Sequence, residues 1–327
     1  MSSPELAARL EGYQGAGVLD SSGAFSLSDE KAQAKFRQFQ LPEPRLYVLN
    51  LQSAAVCGKA SWVDFEGDAD DLYFQCDARL GSSDKLRDLN SVALSDAVPQ
   101  AVRELAFALN GCLALEPKEL SLHYWDGEAG TRIGWENERF VYDALREPPP
   151  GRDESRRPTL SFHLRERPGR RTVVKFLSRV SGAVAADSEQ DAVARHCNRS
   201  PIPLRFNDTD VVRPIDLHGA EQALLIADGP IPPEHPLASA THLRTVSAPG
   251  SFRGVLIKGG RLAPWITLVV NGVSFKLTDV AMGSSGLRGV VYTETLQKDL
   301  SQVQLAQNNQ YRELVEALRR LGDELHT

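Results

Sequence analysis

Helical and strand-like patterns along this chain never settle into the repeated β-α-β alternation that builds a doubly wound parallel sheet, and this excludes the commonest architecture for a chain of its length. Instead, helices stand between groups of short strands. Leu46–Val56 reads as a helix stopped by Gly58. Trp62–Phe65 and Leu72–Cys76 follow as two strands joined by the acidic turn Glu66–Asp71. Val98–Asn110 has helical spacing, with Val102, Leu105, Ala106 and Leu109 on one side. Leu120–Trp125 and Thr131–Trp135 form a hairpin pattern around Asp126-Gly127. Nearer the start, Phe25–Leu27 alternates like a short strand, and Ser28 caps a helix whose Ala32, Phe36 and Phe39 share a face. Ser83 opens a further short helix.

The sharpest break is Pro148–Pro158, where prolines remove backbone donors and the intervening charges favour solvent. Thr159–Leu164 then reads as a strand, Ser188 to Asp191 as a capped helix start running through Cys197, and Pro203–Phe206 as a strand. The proline-rich stretch Asp228–Pro236 fits an excursion between strands. Gly254–Lys258, Ile266–Val270 and Val273–Leu277 suggest a meander with Asn271-Gly272 as its tight turn. Tyr311, Leu314, Val315, Leu318, Leu321 and Leu325 recur as on the buried face of a terminal helix, which docks on its own domain by default.

Composition narrows the function classes. With 42% hydrophobic and 24% charged residues among 327, the chain can bury a core and is not disordered as a whole. No apolar run approaches the ~18 to 20 residues of a membrane span, and Met1–Gln14, carrying Glu5 and Glu11, does not read as a secretory leader. A cytoplasmic location is therefore expected. Cys57, Cys76, Cys112 and Cys197 are too scattered for a zinc ribbon or a disulfide framework, so reduced, mostly buried thiols are expected. Residues 1–150 carry 14 Lys+Arg against 24 Asp+Glu, a net −10, which argues against a nucleic-acid face there. Residues 151–207 reverse this, with 12 against 6, a net +6. Arg152, Arg156, Arg157, Arg165, Arg167, Arg170 and Arg171 supply much of that excess and, interrupted by Glu154 and Glu166, read as a solvated face. His123 and His163 have no triad partners at telling spacing, and His196 and Cys197, about 100° apart on a helix, are poorly placed to share a ligand.

The order of these segments, with several local strings, resembles the GHKL superfamily, the fold shared by gyrase, MutL proteins, histidine kinases and the ninety-kilodalton heat-shock chaperones; the chaperones look most similar. That family's first long helix carries E-x-x-x-N-x-x-D-A, whose Glu activates water and whose Asn holds magnesium. Aligning on Gly58 in Leu49–Ala60 puts Leu49 in the place of the base, Ser53 in that of the magnesium ligand and Val56 in that of the Asp. Leucine cannot accept a proton, and a serine hydroxyl is a weak substitute for an amide oxygen on magnesium. The family's D-x-G-x-G resembles Asp77-Ala78-Arg79-Leu80-Gly81, where Asp77 would accept from the adenine amino group. Capping of the following turn is its structural alternative. Gly130-Thr131-Arg132-Ile133 fits the later G-T-x-I, but Leu160–Glu166 fits the chaperones' continuation of that strand better, leaving Thr159 one residue from the adenine-positioning Thr. Val193–Cys197 and Pro201–Leu204 resemble the basic helix and proline-introduced strand that close the chaperone ATPase domain. The glycine-rich lid has no counterpart between Leu94 and Leu113.

The resemblance implies an α+β chain of two domains: a GHKL-like α/β sandwich over residues 1–207 and a smaller α+β domain with a terminal helix over 208–327. It implies a catalytically degenerate module without catalytic or metal-binding residues. Ser53, Asp77, Gly81 and Thr159 remain as candidate nucleotide contacts. No cofactor is required, with ATP or ADP as the candidate ligands. A protein partner is expected, homo-oligomerisation being one form of it, and neither a membrane nor nucleic acid is. The enzyme alternative is a diverged ATPase chaperone taking its base from Glu43 or Glu104.

Overall fold

A computed structural model describes residues 43–82, 86, 98–136, 139–152, 155–181, 188–215, 220–227, 243–247, 252–259, 264–277, 287–299 and 303–325. The expected strand at Phe25–Leu27, the helix opened by Ser28, the turn of helix at Ser83 and the Asp228–Pro236 excursion lie outside them. The described elements belong to one compact unit, Arg37–Thr327.

The first sheet has eight strands in the order β5-β4-β3-β6-β2-β1-β7-β8. These are β1 (Val63–Gly67), β2 (Asp71–Cys76), β3 (Glu119–Trp125), β4 (Gly130–Glu136), β5 (Arg139–Leu145), β6 (Leu160–Arg165), β7 (Leu204–Phe206) and β8 (Thr209–Asp210). All pairings are antiparallel except β1 with β7, where Val63 faces Leu204. Alternation sets its faces. Val63, Phe65, Leu72, Phe74, Cys76, Leu120, Leu122, Tyr124, Leu160, Phe162 and Leu164 are buried. Residues between them, such as Asp64, Tyr73 and His163, are only half-buried.

The helices of this part are α1 (Tyr47–Cys57), α2 (Gln100–Cys112), α3 (Arg170–Val180) and α4 (Glu189–His196). Every residue of α1 from Tyr47 to Ala55 is buried. Its Tyr47 ring lies 5.9 Å from that of Phe162, placing α1 on the apolar face of the sheet. At its end a Cβ on Gly58 would stand 2.8 Å from the Ala78 Cβ, so only glycine allows this approach to the end of β2. Val102, Leu105, Ala106 and Leu109 of α2 are fully buried, as their spacing predicts. Ser188 caps α4 by accepting from the Asp191 amide at 3.1 Å.

The second sheet has six strands in the order β10-β9-β11-β14-β12-β13. They are β9 (Gln222–Ala227), β10 (Leu243–Ser247), β11 (Phe252–Lys258), β12 (Trp265–Val270), β13 (Val273–Leu277) and β14 (Arg288–Thr293). The expected meander is corrected here. β12 and β13 do form a hairpin, with Asn271 and Gly272 both at positive φ, but β14 stands between β11 and β12 and runs parallel to β12. A parallel partner arrives by a long crossover and leaves no turn signature. Close strand approach depends on glycine at this point, because a Cβ on Gly254 would come within 2.2 Å of the Val290 carbonyl oxygen. α5 (Asn309–Glu324) buries Leu314, Val315, Leu318 and Leu321 and follows the sheet, with Gly322 against Leu287.

The β12–β13 turn sits on α1, since a Cβ on Gly272 would meet Val56 Cγ2 at 2.7 Å and Gln52 Nε2 at 3.0 Å. At φ +81° a side chain there is also strained. Gly272→Ala should therefore lower stability by about 1–3 kcal/mol, read as a lower urea midpoint with unchanged slope.

Candidate functional site

The positions singled out in sequence converge on α1 and the strand ends beneath it, and each has a definite neighbour. Leu49 is 1% exposed and belongs to the apolar core. Ser53 is fully buried and accepts from Lys298 Nζ at 3.1 Å. The same ammonium lies 2.6 Å from Glu104 Oε2 of α2, with both side chains about as deeply buried (4% and 5% exposed). Asn50 Nδ2 donates to that Glu104 oxygen at 2.8 Å. On the next part of the helix, Gln52 Nε2 donates to Ser200 Oγ at 3.0 Å. Asn50, Gln52 and Ser53, on a helix without charges, are thus answered by α2, by the loop after α4 and by the segment after β14.

Asp77 has partners outside this cluster. Its carboxylate accepts from the Ser61 amide at 2.7 Å, the Ser61 hydroxyl at 2.5 Å and the Trp62 amide at 3.4 Å, so it holds the loop leading into β1. Its neighbours on either side, Cys76 and Ala78, are fully buried. Thr159 donates its hydroxyl to the Ala78 carbonyl at 2.6 Å, and its amide donates to the Cys76 carbonyl. Gly81 has φ +86°, and its carbonyl accepts from the Tyr124 hydroxyl at 2.8 Å. Ser53, Asp77, Gly81 and Thr159 are thus each engaged with protein groups. Around these positions Leu49, Ala54, Ala78 and Leu80 are themselves buried. Part of the segment from Leu94 is outside the described residues; from Gln100 onward it is α2.

The remaining motifs also resolve into partners. Arg152 pairs with Glu66 at 2.7 Å and lies over the Tyr73 ring, and Arg156 pairs with Asp64 at 2.8 Å and lies over Trp62. With Arg205 they border an open cleft of about 350 Å³ on the half-buried face of the first sheet. Gln75 holds the proline segment there, donating to the Pro150 carbonyl and accepting from the Arg152 amide. His163 lies 2.7 Å from Asp71 and stacks on Tyr73. Asp68, Asp70 and Asp71 come together, but Asp68 accepts from the amides of the other two, which is the chemistry of a turn. Burial pushes the thiols of Cys57, Cys76 and Cys197 up to about 12, so they are held neutral, and all four cysteines are free.

Lys298 escaped the sequence reading entirely. It lies in a stretch without periodicity, 194 residues from Glu104 and 245 from Ser53. The available signal was a charged residue, Glu104, on the same turn of α2 as the inward-facing Leu105.

No family model matches the chain, and no curated protein matches it. Its eight-stranded mixed sheet backed by helices, followed by a six-stranded sheet with a terminal helix, is a GHKL-type α+β fold. A solved structure that shares it is the B-subunit of the DNA gyrase from Myxococcus xanthus, with a TM-score of 0.55 over 91% of this chain and 95% of that one, at 11% identity. At that identity the likeness is one of fold alone.

The Lys298–Glu104 pair should show the asymmetry of a desolvated ion pair. Lys298→Met leaves the Glu104 carboxylate buried without its cation and should cost about 3–5 kcal/mol, whereas Lys298→Met with Glu104→Leu should recover most of that loss. Denaturant melts of the two single variants and the double variant measure the coupling.

Proposed function

We propose that this protein uses a GHKL fold as a non-catalytic, chaperone-like binding or assembly module, with domains over residues 1–207 and 208–327. The observation that carries the proposal is the Lys298 ammonium between Ser53 Oγ and Glu104 Oε2. By the resemblance, Ser53 occupies the magnesium ligand's place, and an ammonium in contact with it is the wrong neighbour for a dication. Leu49 in the base's place supports the same reading, as do the engagement of Asp77 with Ser61 and of Thr159 with Ala78. A protein partner suits a module of this kind. ATP or ADP is not required for it.

One observation favours the second reading, a diverged ATPase. The Glu104 carboxylate reaches Asn50, one residue along α1 from the position of the family's Glu. Its burial and its pairing with Lys298 work against its use as a base, because a base must meet water. Glu43, the other carboxylate considered, is half-exposed and pairs with Arg45 at 2.5 Å.

Calorimetry with magnesium-ATP, together with a sensitive turnover assay, separates the two. The module reading expects neither magnesium-dependent binding nor turnover. Turnover abolished by Asp77→Asn or Glu104→Gln would overturn it in favour of the enzyme, and ADP binding without turnover would redefine it as a nucleotide-sensing scaffold.

A further inference from the structure

α3 is built inside out. Its cations turn toward the protein: Lys175 Nζ lies 2.6 Å from Glu166 and 2.9 Å from Glu189, and Arg171 contacts the same two carboxylates. Glu166 and Glu189 are 6% and 3% exposed, so they need those cations. Turning the helix over would strand both acids, and its apolar side is therefore held outward. Val173 is 56% exposed, Val174 46%, Phe176 56%, Leu177 59% and Val180 72%. Val173, Phe176, Leu177 and Val180 follow the spacing of a single helix face.

We propose that this face docks the protein on an anionic lipid surface, with α3 lying in the plane of the interface. Charge supports that occupant. From Arg167 to Ala186 the sequence has no carboxylate, and beside the inward-turned Arg171 and Lys175 it carries three further cations, Arg167, Arg170 and Arg179. Arg167 and Arg170 are exposed at the helix start, beside the apolar side chains. The chain carries −6 overall, yet residues 151–207 carry +6 (12 Lys+Arg less 6 Asp+Glu), so the segment that contains α3 is the one whose charge favours an anionic surface. Size argues in the same direction. An eleven-residue helix is only about 16 Å long, and one face of it falls short of the ~800 Å² per partner that a stable protein interface buries. Insertion into a headgroup layer needs no more than a few apolar anchors with cations beside them. The absence of spanning segments, from which no membrane partner was expected, does not bear on docking. Among the described residues no helix is long and apolar enough to cross a membrane.

The test is flotation of the full chain with phosphatidylcholine vesicles, with and without phosphatidylglycerol. The chain should float with the anionic vesicles, less so at high salt. Phe176→Ser with Leu177→Ser should reduce that binding at least about tenfold, and Arg170→Glu should weaken it, with the melting temperature unchanged because these side chains are exposed. No flotation at low salt, equal flotation with neutral vesicles, or binding indifferent to the double substitution would overturn the proposal. So would a sedimentation mass that falls from dimer to monomer in the double variant without any vesicle binding, which would assign the face to a second copy of the chain.

Discussion

Burial of α1 on every side is the constraint on which the rest of this structure depends. In a helix sealed in this way, buried amide and hydroxyl side chains depend on other protein groups because water cannot reach them; Asn50, Gln52 and Ser53 each find one, whereas the Tyr47 hydroxyl has none among the described residues. Asn50 takes Glu104, Gln52 takes Ser200 and Ser53 takes Lys298, and these partners come from three separate stretches of chain. The β12–β13 turn closes over the same helix at Gly272. α1 therefore does more than back one sheet: it joins that sheet to elements on both sides of the second one. Its apolar residues supply the favourable burial, and the polar ones fix which segments can approach and in what register.

This explains which parts of the fold were legible in sequence. α1, α2, α4 and the β3–β4 and β12–β13 hairpins were visible because their signals are local: a stop at Gly58, a cap at Ser188, tight turns at Asp126-Gly127 and Asn271-Gly272. β14 was missed because its pairing with β12 is parallel and nothing nearby in sequence announces it. α3 was hidden for a different reason. Its arginines suggested a solvated charged face, whereas Arg171 turns inward and the valines face out. Patterning rules assume that apolar means inside, and two buried glutamates reverse that assumption locally.

The candidate site was legible only as a set of departures. Leu49 and Ser53 stood out because a family pattern gave their places a chemical meaning, and the structure adds the side chains that those places now contact. Lys298 could not be anticipated, since its contacts join the beginning of the chain to a segment near its end. Asp77 shows the same at shorter range. Its structural alternative, capping of the turn that follows it, is corrected too: the carboxylate holds Ser61 and Trp62, far back in the sequence at the entry to β1, because the neighbouring strand brings that loop beside the end of β2.

The long separation between Glu104 and Lys298 bears on how the chain is made. While it is being synthesised, α2 is complete long before residue 298 exists, so the Glu104 carboxylate must stay hydrated until then and α2 cannot seal against α1. Closure of the first sheet's helical layer therefore waits for a residue that lies beyond all six strands of the second sheet. The two sheets differ in sequence and topology, yet the helical layer of the first is completed by a contact that closes a loop of 194 residues around the second.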